Sequence, residues 1–361
     1  MNDDSAKKTL TASAPGRVCL FGEHQDYLGL SVVPSAINMR TTVTCHDVAP
    51  GTRRVLINAK DLKKTLELEI KPQYDFKDPD LAYFQAVLAV FQRHGQLDRV
   101  PGFTCDVSSQ IPIKSGLSSS AALLVAFVKA VAGLAKISLT PQEVGWYAYE
   151  AEHDAMGIPC GMMDQLSSAI GGIIHLKCTT PPVVTPLAAK IPGIVVADTK
   201  IHKSTNTVHS ARVKETKAGL ASLKKYIDFD IYTTPWEKIE PHLQKLDEIE
   251  RKRLIAVFRD RDITVKSMAL LNAKALDYHA IGKLLTEHQM YLNKYFEVSL
   301  DKIEAILENA IKAGAFGGKI TGAGLGGSLV ILAPGREQAV SKAIVDSDAI
   351  PYVVQTDRGV Q

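Results

Sequence analysis

The sequence has 361 residues, of which 46% are hydrophobic and 22% charged, as is typical of a soluble globular protein with a substantial core. Lys and Arg total 42 and Asp and Glu total 39, which gives a net charge of +3. This balance argues against nucleic acid or a membrane surface as the main partner.

Cysteine spacing and the N-terminal segment bear on the cellular compartment. The five cysteines are scattered without a Cys-x-x-Cys spacing, which favours reduced thiols over a disulfide framework or a zinc site. The N-terminal segment MNDDSAKKTL is polar and lacks the apolar run of a signal peptide, and the apolar stretches of the chain are too short to span a bilayer. We therefore expect a cytoplasmic protein.

Short β-like runs alternate with turns through roughly the first hundred residues. Strands are predicted at Val18–Phe21, Val32–Val33, Thr41–Cys45, Arg54–Ile57 and Thr65–Ile70. Helical spacing of apolar residues predicts helices over Asp80–His94, Leu117–Leu134 and Pro141–Met156, with Thr140 as the cap of the third. Further strands are predicted at Phe103–Val107, Gly171–Leu176 and Gly193–Ala197.

Helices dominate the chain beyond about residue 207. They are predicted at Val208–Tyr226, Pro235–Phe258, Ile263–Ala275, Tyr278–Tyr295 and Leu300–Ala313. A glycine-rich loop then precedes a strand at Ser328–Leu332, a helix at Arg336–Val345 and a strand at Tyr352–Gln355. This order of elements predicts an α+β protein with two lobes.

The sharpest local feature is the segment 112–122, Pro-Ile-Lys-Ser-Gly-Leu-Ser-Ser-Ser-Ala-Ala, between a predicted strand and an apolar helix. Gly116 permits a tight turn, and the serines lie where the N–H groups of a helix N-terminus lack partners. Such N–H groups favour an anion such as phosphate. On these residues alone, a serine-capped helix after an ordinary loop is an equally good interpretation.

A second glycine-rich segment, 317–327, has the sequence Gly-Gly-Lys-Ile-Thr-Gly-Ala-Gly-Leu-Gly-Gly. Ordering so many glycines is costly, which favours a loop whose backbone closely approaches another backbone or a ligand. A tight turn in a sheet is the alternative interpretation. Two such loops in one chain favour nucleotide binding more than either loop does alone.

Polar residues cluster in two other segments, and each segment is also compatible with an ordinary solvated surface. The first cluster flanks the apolar strand at Val18–Phe21 and comprises Arg17 before it and Glu23, His24, Asp26 and Tyr27 in the loop after it, which is suited to binding a hydroxylated ligand. The second lies in 150–165, where Asp164 follows two apolar residues, Met162 and Met163. A buried carboxylate there requires a partner such as Arg17 or a functional role. Glu152 carries oxygen ligands suited to Mg²⁺.

These segments, in this order, resemble the GHMP kinases, a family that includes galactokinase, homoserine kinase, mevalonate kinase and phosphomevalonate kinase. The resemblance spans nearly the whole chain. Within the family, Gly16-Arg17-Val18 with Gly22-Glu23-His24-x-Asp26-Tyr27 is most similar to the galactokinases. Ala151-Glu152-His153 and Pro159-Cys160-Gly161-x-Met163-Asp164-Gln165 are similar to the same group.

The resemblance implies a two-lobed α+β fold and a role for each matching residue. It implies an N-terminal lobe at residues 1–200, resembling ribosomal protein S5 domain 2, and a ferredoxin-like C-terminal lobe at 201–361. Asp164 is implied as the catalytic carboxylate, stabilised by Arg17. The implied sugar ligands are Glu23, His24, Asp26 and Gly161. Residues implied to wrap the triphosphate of ATP are Lys114, Ser115, Gly116, Leu117, Ser118, Ser119 and Ser120, and those implied to bind Mg²⁺ are Ser120 and Glu152.

The resemblance leaves the substrate less defined than the reaction. Leu28-Gly29-Leu30 follows Tyr27 where galactokinases commonly have Asn and a Gly, and the tyrosine with which many of them contact the sugar from the second lobe has no assigned counterpart. Phosphorylation of galactose at C1 is the function expected. Mevalonate, a uronic acid, an amino sugar or a heptose is the alternative substrate, and a sugar-and-ATP sensor is the alternative to an enzyme. The oligomeric state is left open.

Overall fold

The computed structural model describes residues 9–113, 115–201 and 205–361. Its strands are β1 (Leu10–Phe21), β2 (Ser31–Ala49), β3 (Arg54–Ala59), β4 (Lys64–Glu69), β5 (Gly102–Ser109), β6 (Ile173–Lys177), β7 (Val183–Leu187), β8 (Ile194–Asp198), β9 (Gly317–Thr321), β10 (Ser328–Leu332) and β11 (Ile350–Val354). Its helices are α1 (Ala82–Arg93), α2 (Ser119–Leu134), α3 (Pro141–Tyr149), α4 (Met163–Ile170), α5 (Thr205–Leu223), α6 (Trp236–Leu243), α7 (Glu248–Leu271), α8 (Tyr278–Lys294), α9 (Asp301–Lys312) and α10 (Glu337–Asp346).

Two sheets, each with its own helices, confirm the predicted α+β class. The N-terminal lobe has a seven-stranded sheet of order β4-β3-β5-β2-β6-β7, with β1 antiparallel to β2, and α1 to α4 belong to it. Helix α2 is apolar nearly all round and is buried against β1 and β2. The C-terminal lobe has an antiparallel sheet of order β11-β8-β10-β9, with α5 to α10.

Local signals located most elements, and long-range pairing decided the differences. Thr140 caps α3 with the reciprocal bonds of a capping box, as predicted. The two predicted strands between residues 32 and 45 are one long strand, β2, and the predicted helix Pro235–Phe258 is divided where Asp247 caps α7. Helix α7 then continues to Leu271 without the predicted break. The glycine-rich segment begins as strand β9, because it pairs with β10.

The chain crosses between the lobes more than once. Strand β8 precedes residue 200 but lies inside the C-terminal sheet, and residues after β11 return to the N-terminal lobe. The predicted boundary between the lobes, at 1–200 and 201–361, stays a prediction. Within the described ranges, no helix is both long enough and apolar enough to cross a lipid bilayer.

The C-terminal tail, residues 355–361, is fastened to the N-terminal lobe by backbone bonds and by Arg40. Gln361 exchanges two backbone hydrogen bonds with Ser13, and the N–H of Val360 donates to the carbonyl of Ala169 at the end of α4 (3.0 Å). Arg40 donates to the Asp357 carboxylate (2.7 Å), to both oxygens of Ser13 and to the carbonyls of residues 358 and 359. The tail therefore supports the helix that carries Asp164.

We expect Arg40→Met to lower the free energy of unfolding by about 2–4 kcal/mol, because the change leaves the Asp357 carboxylate and several partly buried carbonyls without their shared donor. Thermal or urea unfolding measures this effect. The matched control is Arg54→Met, which removes an exposed pair with Glu67 and should change stability by less than about 1 kcal/mol. Equal effects of the two substitutions would contradict the stabilising role assigned to Arg40.

Candidate active site

Asp164 is the central carboxylate of the candidate site. It lies in the first turn of α4, where Arg17 of β1 donates to its Oδ1 from Nε (2.8 Å) and from Nη2 (2.6 Å). The hydroxyl of Ser118 donates to its Oδ2 (2.7 Å). Arg17 is 4% exposed and Asp164 30% exposed, so the cation is enclosed while the carboxylate remains accessible. The pairing of Arg17 with Asp164 agrees with the sequence-based prediction.

The two glycine-rich segments meet backbone to backbone between the lobes. Gly116 has φ 78°, and a Cβ on it would stand 2.8 Å from the carbonyl oxygen of Thr321. The nearest atom of the facing loop beyond that carbonyl is the Cα of Gly322. Only glycine accommodates both the left-handed conformation and this approach. Arg17 reinforces the junction by donating from Nη1 to the Gly116 carbonyl (2.6 Å).

The N-terminus of α2 has the features of an anion site. Ser118 occupies the capping position with φ 61°, but its hydroxyl is directed to Asp164 and makes no capping bond. The first turn of α2 contains no acidic residue. The N–H groups of this turn therefore remain for a ligand, which is the arrangement that suits phosphate. Ser119 and Ser120 are the first residues of the helix and are partly exposed.

The other predicted triphosphate contacts differ in kind. The Ser115 hydroxyl donates to the carbonyl of Pro112 (2.8 Å) and so stabilises the loop itself. The side chain of Leu117 is fully buried in the core, and its carbonyl accepts from the N–H of Arg17 (3.2 Å). Both side chains thus make their contacts within the protein. Only the backbone of these two residues is left to contact a ligand. Lys114 lies outside the described residues.

Glu152 lies in a π-helical turn, Glu150–Ala155, that continues α3. It is 7% exposed, and burial together with the nearby charge of Asp164 raises its pKa to about 7. Gln165 donates to its Oε2 (2.6 Å), and the Ser120 hydroxyl is close enough to lower the pKa in part. The structure thus brings the two predicted metal ligands together. The described part of the chain contains no group of three or more His, Cys, Asp or Glu residues that could hold a metal ion, so a metal here would need ligands from a substrate or water.

Glu23 and Asp26 lie in the loop after β1. Glu23 is 3% exposed and forms a buried ion pair with Lys319 of β9, whose Nζ is 3.1 Å from its Oε2. Asp26 packs directly against Gly161, on which a Cβ would stand 2.0 Å from the Asp26 Oδ2. Burial and the charges of Asp164 and Glu23 raise the pKa of Asp26 to about 7. The predicted sugar ligands Glu23, Asp26 and Gly161 are therefore neighbours of Asp164.

His24 is buried among aromatic rings from both lobes. Its ring stacks on Phe296 at 5.1 Å and on His209 of α5 at 5.8 Å between centroids. Burial, followed by the charge of His209, lowers the pKa of His24 to about 3, so the ring is neutral at physiological pH. His24 therefore shapes this pocket as an uncharged side chain.

Second-lobe residues near this site that were not identified from the sequence include Lys319, His209 and Tyr232. Lys319 stood in a segment interpreted as a glycine-rich loop. His209 lies edge-on to Tyr27 at 5.0 Å between centroids, and Asp164 is the charge that raises its pKa against the larger lowering by burial. Tyr232 places its hydroxyl 2.6 Å from where a Cβ on Gly29 would stand. No local pattern marks these residues, because each reaches the site only through the packing of the lobes.

Comparison with known proteins places this geometry in a family. Residues 82–172 match the family description GHMP kinases N terminal domain, and residues 269–346 match GHMP kinases C terminal. Residues 3–46 match the galactokinase galactose-binding signature. All of the matched segments contribute elements to the cleft described above.

Relatives match over almost the whole chain. A galactokinase of Haemophilus influenzae is 30% identical over 94% of this chain and 89% of the relative. A mevalonate kinase of Thermococcus gammatolerans is 29% identical over 96% of each protein. The crystal structure of Lactococcus lactis galactokinase complexed with galactose has a TM-score of 0.86 at 24% identity, covering 98% of this chain and 95% of that one. This likeness confirms the predicted two-lobed GHMP kinase fold. On the matched domains and these full-length relatives, the chain belongs to the GHMP kinase family, in its galactokinase branch.

Proposed function

We propose that the protein transfers the γ-phosphoryl group of ATP to the C1 hydroxyl of galactose, giving galactose 1-phosphate and ADP. The observation that carries this proposal is the accessible Asp164 carboxylate, fixed by Arg17 and Ser118 between a free helix N-terminus and the Glu23–Asp26 loop. An anion site and a hydroxyl-binding site on either side of one carboxylate are the parts that phosphoryl transfer to an alcohol requires.

Asp164 accepts the proton of the attacking hydroxyl in this mechanism. Each carboxylate oxygen has more than one lone pair, so the bonds from Arg17 and Ser118 orient the group and leave acceptor capacity for the substrate. The Arg17 guanidinium also offsets negative charge on the transferred group. The N–H groups at the start of α2 bind the phosphates.

Ser120 and Glu152 are the residues that would hold Mg²⁺. The raised pKa of Glu152 fits this role, because a buried carboxylate beside Asp164 needs a cation that the fold itself does not provide as a bonded partner. One carboxylate, a hydroxyl and substrate phosphates form a ligand set that Mg²⁺ commonly takes. When bound, Mg²⁺ supplies positive charge that neutralises the phosphate oxygens.

A neutral hexose suits the charge of the acceptor pocket. Glu23, Asp26 and Asp164 present carboxylates that accept hydrogen bonds from hydroxyl groups, and Gly161, without a side chain, permits the close approach of Asp26. The second candidate substrate is mevalonate, because the relative from Thermococcus gammatolerans is a mevalonate kinase. Mevalonate carries a carboxylate, as does a uronic acid, and like charges in a partly buried pocket oppose binding. The charge of the pocket therefore favours galactose.

A screen for ADP release decides between the substrates. With MgATP present, we expect turnover on galactose and little on mevalonate, a uronic acid, an amino sugar or a heptose. Turnover on mevalonate without turnover on any sugar would replace galactose by the second candidate. Absence of substrate-dependent ADP release with all of these compounds would favour a sensor and refute the proposed enzyme.

We expect Asp164→Asn to lower kcat by on the order of 10²–10⁴-fold, because the amide cannot accept the hydroxyl proton. Steady-state kinetics with galactose measures the change, and thermal unfolding verifies that the variant is folded. Asp346→Asn, at an exposed carboxylate of α10, is the control and should retain wild-type turnover. Near wild-type kcat in Asp164→Asn would remove the assignment of this residue as the base.

We expect Glu152→Gln to stabilise the ligand-free protein while it impairs catalysis. The pKa of Glu152 is raised from 4.5 to about 7, so the folded state holds this proton more tightly and loses stability as pH rises from about 5 to 7. At pH 8 the variant should therefore be more stable by up to about 3 kcal/mol, a gain that shrinks as pH is lowered toward about 5. Denaturant unfolding at both pH values, with kinetics against Mg²⁺ concentration, measures both effects. A variant that is less stable at pH 8, or that has normal Mg²⁺ dependence, would contradict this role.

A further inference from the structure

Lys319 of β9 is a fully buried lysine whose ammonium group is completely hydrogen-bonded. Its Nζ donates to the carbonyls of Cys19 (2.8 Å) and Ile320 (2.6 Å) and to Oε2 of Glu23 (3.1 Å). These bonds use all three hydrogens that a lysine ammonium group carries. A charge buried to this degree requires such pairing, because removing it from water without partners is strongly unfavourable.

Burial shifts the pKa of the other titratable groups around Lys319 toward their neutral forms. Burial lowers the pKa of His24 to about 3 and lowers that of His288 of α8 well below its ordinary value, so both rings are neutral. Burial raises the pKa of Asp260 of α7 well above its ordinary value, which favours its protonated form. The positive charge of Lys319 is therefore available to the Glu23 carboxylate.

The pairing with Lys319 also places the two oxygens of Glu23 in different hydrogen-bonding environments. Lys319 occupies Oε2, while Oε1 has no hydrogen-bond partner among the residues that the structure describes. Oε1 is thus the oxygen left to accept a hydrogen bond from a substrate hydroxyl. Because Oε2 is held, the position of Oε1 is fixed by the lysine.

Lys319 comes from the opposite lobe to Glu23, and both backbone groups of Cys19 take part in the junction. The N–H of Cys19 donates to the hydroxyl of Thr321 (2.9 Å), and its carbonyl accepts from Lys319. The strand that leads into the Glu23 loop is therefore attached to β9 at two points. The contact between Lys319 and Glu23 extends this attachment to the loop itself.

We propose that Lys319 is a positioning residue for the acceptor substrate, acting through Glu23. It holds one oxygen of the Glu23 side chain and leaves the other to accept a hydrogen bond from a sugar hydroxyl, and it makes this arrangement depend on the second lobe. This inference rests on the proposed sugar kinase function and adds a residue to it.

A double-substitution cycle tests the inference, with kcat, the KM for galactose and the KM for ATP measured for each protein. The proteins are the wild type, Glu23→Gln, Lys319→Met and the double variant, with thermal unfolding to establish that each is folded. Methionine approximates the length of lysine without its charge. Lys342→Met, at an exposed lysine of α10, is the matched control and should retain wild-type kinetics.

We expect each single substitution to raise the galactose KM by roughly 10–100-fold, the range for a lost hydrogen bond to a charged group, with the ATP KM changed less than about 3-fold. The double variant should match Glu23→Gln within about 3-fold, because the proposed effect of Lys319 on galactose binding is exerted through Glu23. If Lys319→Met alone does not fold, comparison of the double variant with Glu23→Gln carries the test, since the double variant buries no unpaired charge.

Other outcomes separate the two proposals. A double variant whose galactose KM shows the product of the single effects, or a loss confined to kcat or to the ATP KM, would assign Lys319 a general structural role and overturn the inference alone. A Glu23→Gln variant with unchanged galactose KM would overturn it as well. A wild type that phosphorylates no sugar would instead refute the proposed function, and the inference with it.

Discussion

The charge balance of the cleft is the constraint on which the rest of the site depends. Four carboxylates converge there, and two buried cations are bonded to them among the described residues. The carboxylates are Glu23, Asp26, Glu152 and Asp164. Arg17 is bonded to Asp164 and Lys319 to Glu23. The two carboxylates without a bonded cation, Asp26 and Glu152, are the ones whose pKa is raised to about 7. The site is thus built with unbalanced negative charge that ligands can relieve.

The two cations also connect charge balance to the arrangement of the lobes. Arg17 belongs to β1 and reaches the serine loop through the Gly116 carbonyl, whereas Lys319 belongs to the second sheet and reaches back to the Glu23 loop. Each therefore joins one carboxylate to a backbone segment distant in sequence. A displacement of the lobes would separate Lys319 from Glu23, a pair whose burial makes its charges costly to leave unpaired. The same bonds that position the reacting groups hold the cleft in register.

The sequence allowed the local parts of this design to be predicted, but the junctions depend on the fold. Apolar periodicity located most strands and helices, and the resemblance assigned Arg17 to Asp164, 147 positions away. Lys319 lay in a segment whose glycines indicated a loop, and only pairing with β10 makes that segment a strand. A lysine between apolar neighbours gives no sign of which carboxylate it will meet. Its partner is set by how two sheets pack, which no local pattern encodes.

The lack of a bonded cation at Asp26 affects which acceptors the pocket favours. A carboxyl whose pKa is raised to about 7 takes up and releases its proton near neutral pH, so it can donate as well as accept a hydrogen bond. A sugar hydroxyl can do both as well, and it adds no charge beside Asp164. An anionic acceptor would raise the pKa of Asp26 further and bind at the cost of taking up a proton. The excess of carboxylates therefore favours a neutral, hydroxyl-rich substrate. The same excess favours a cation beside Glu152.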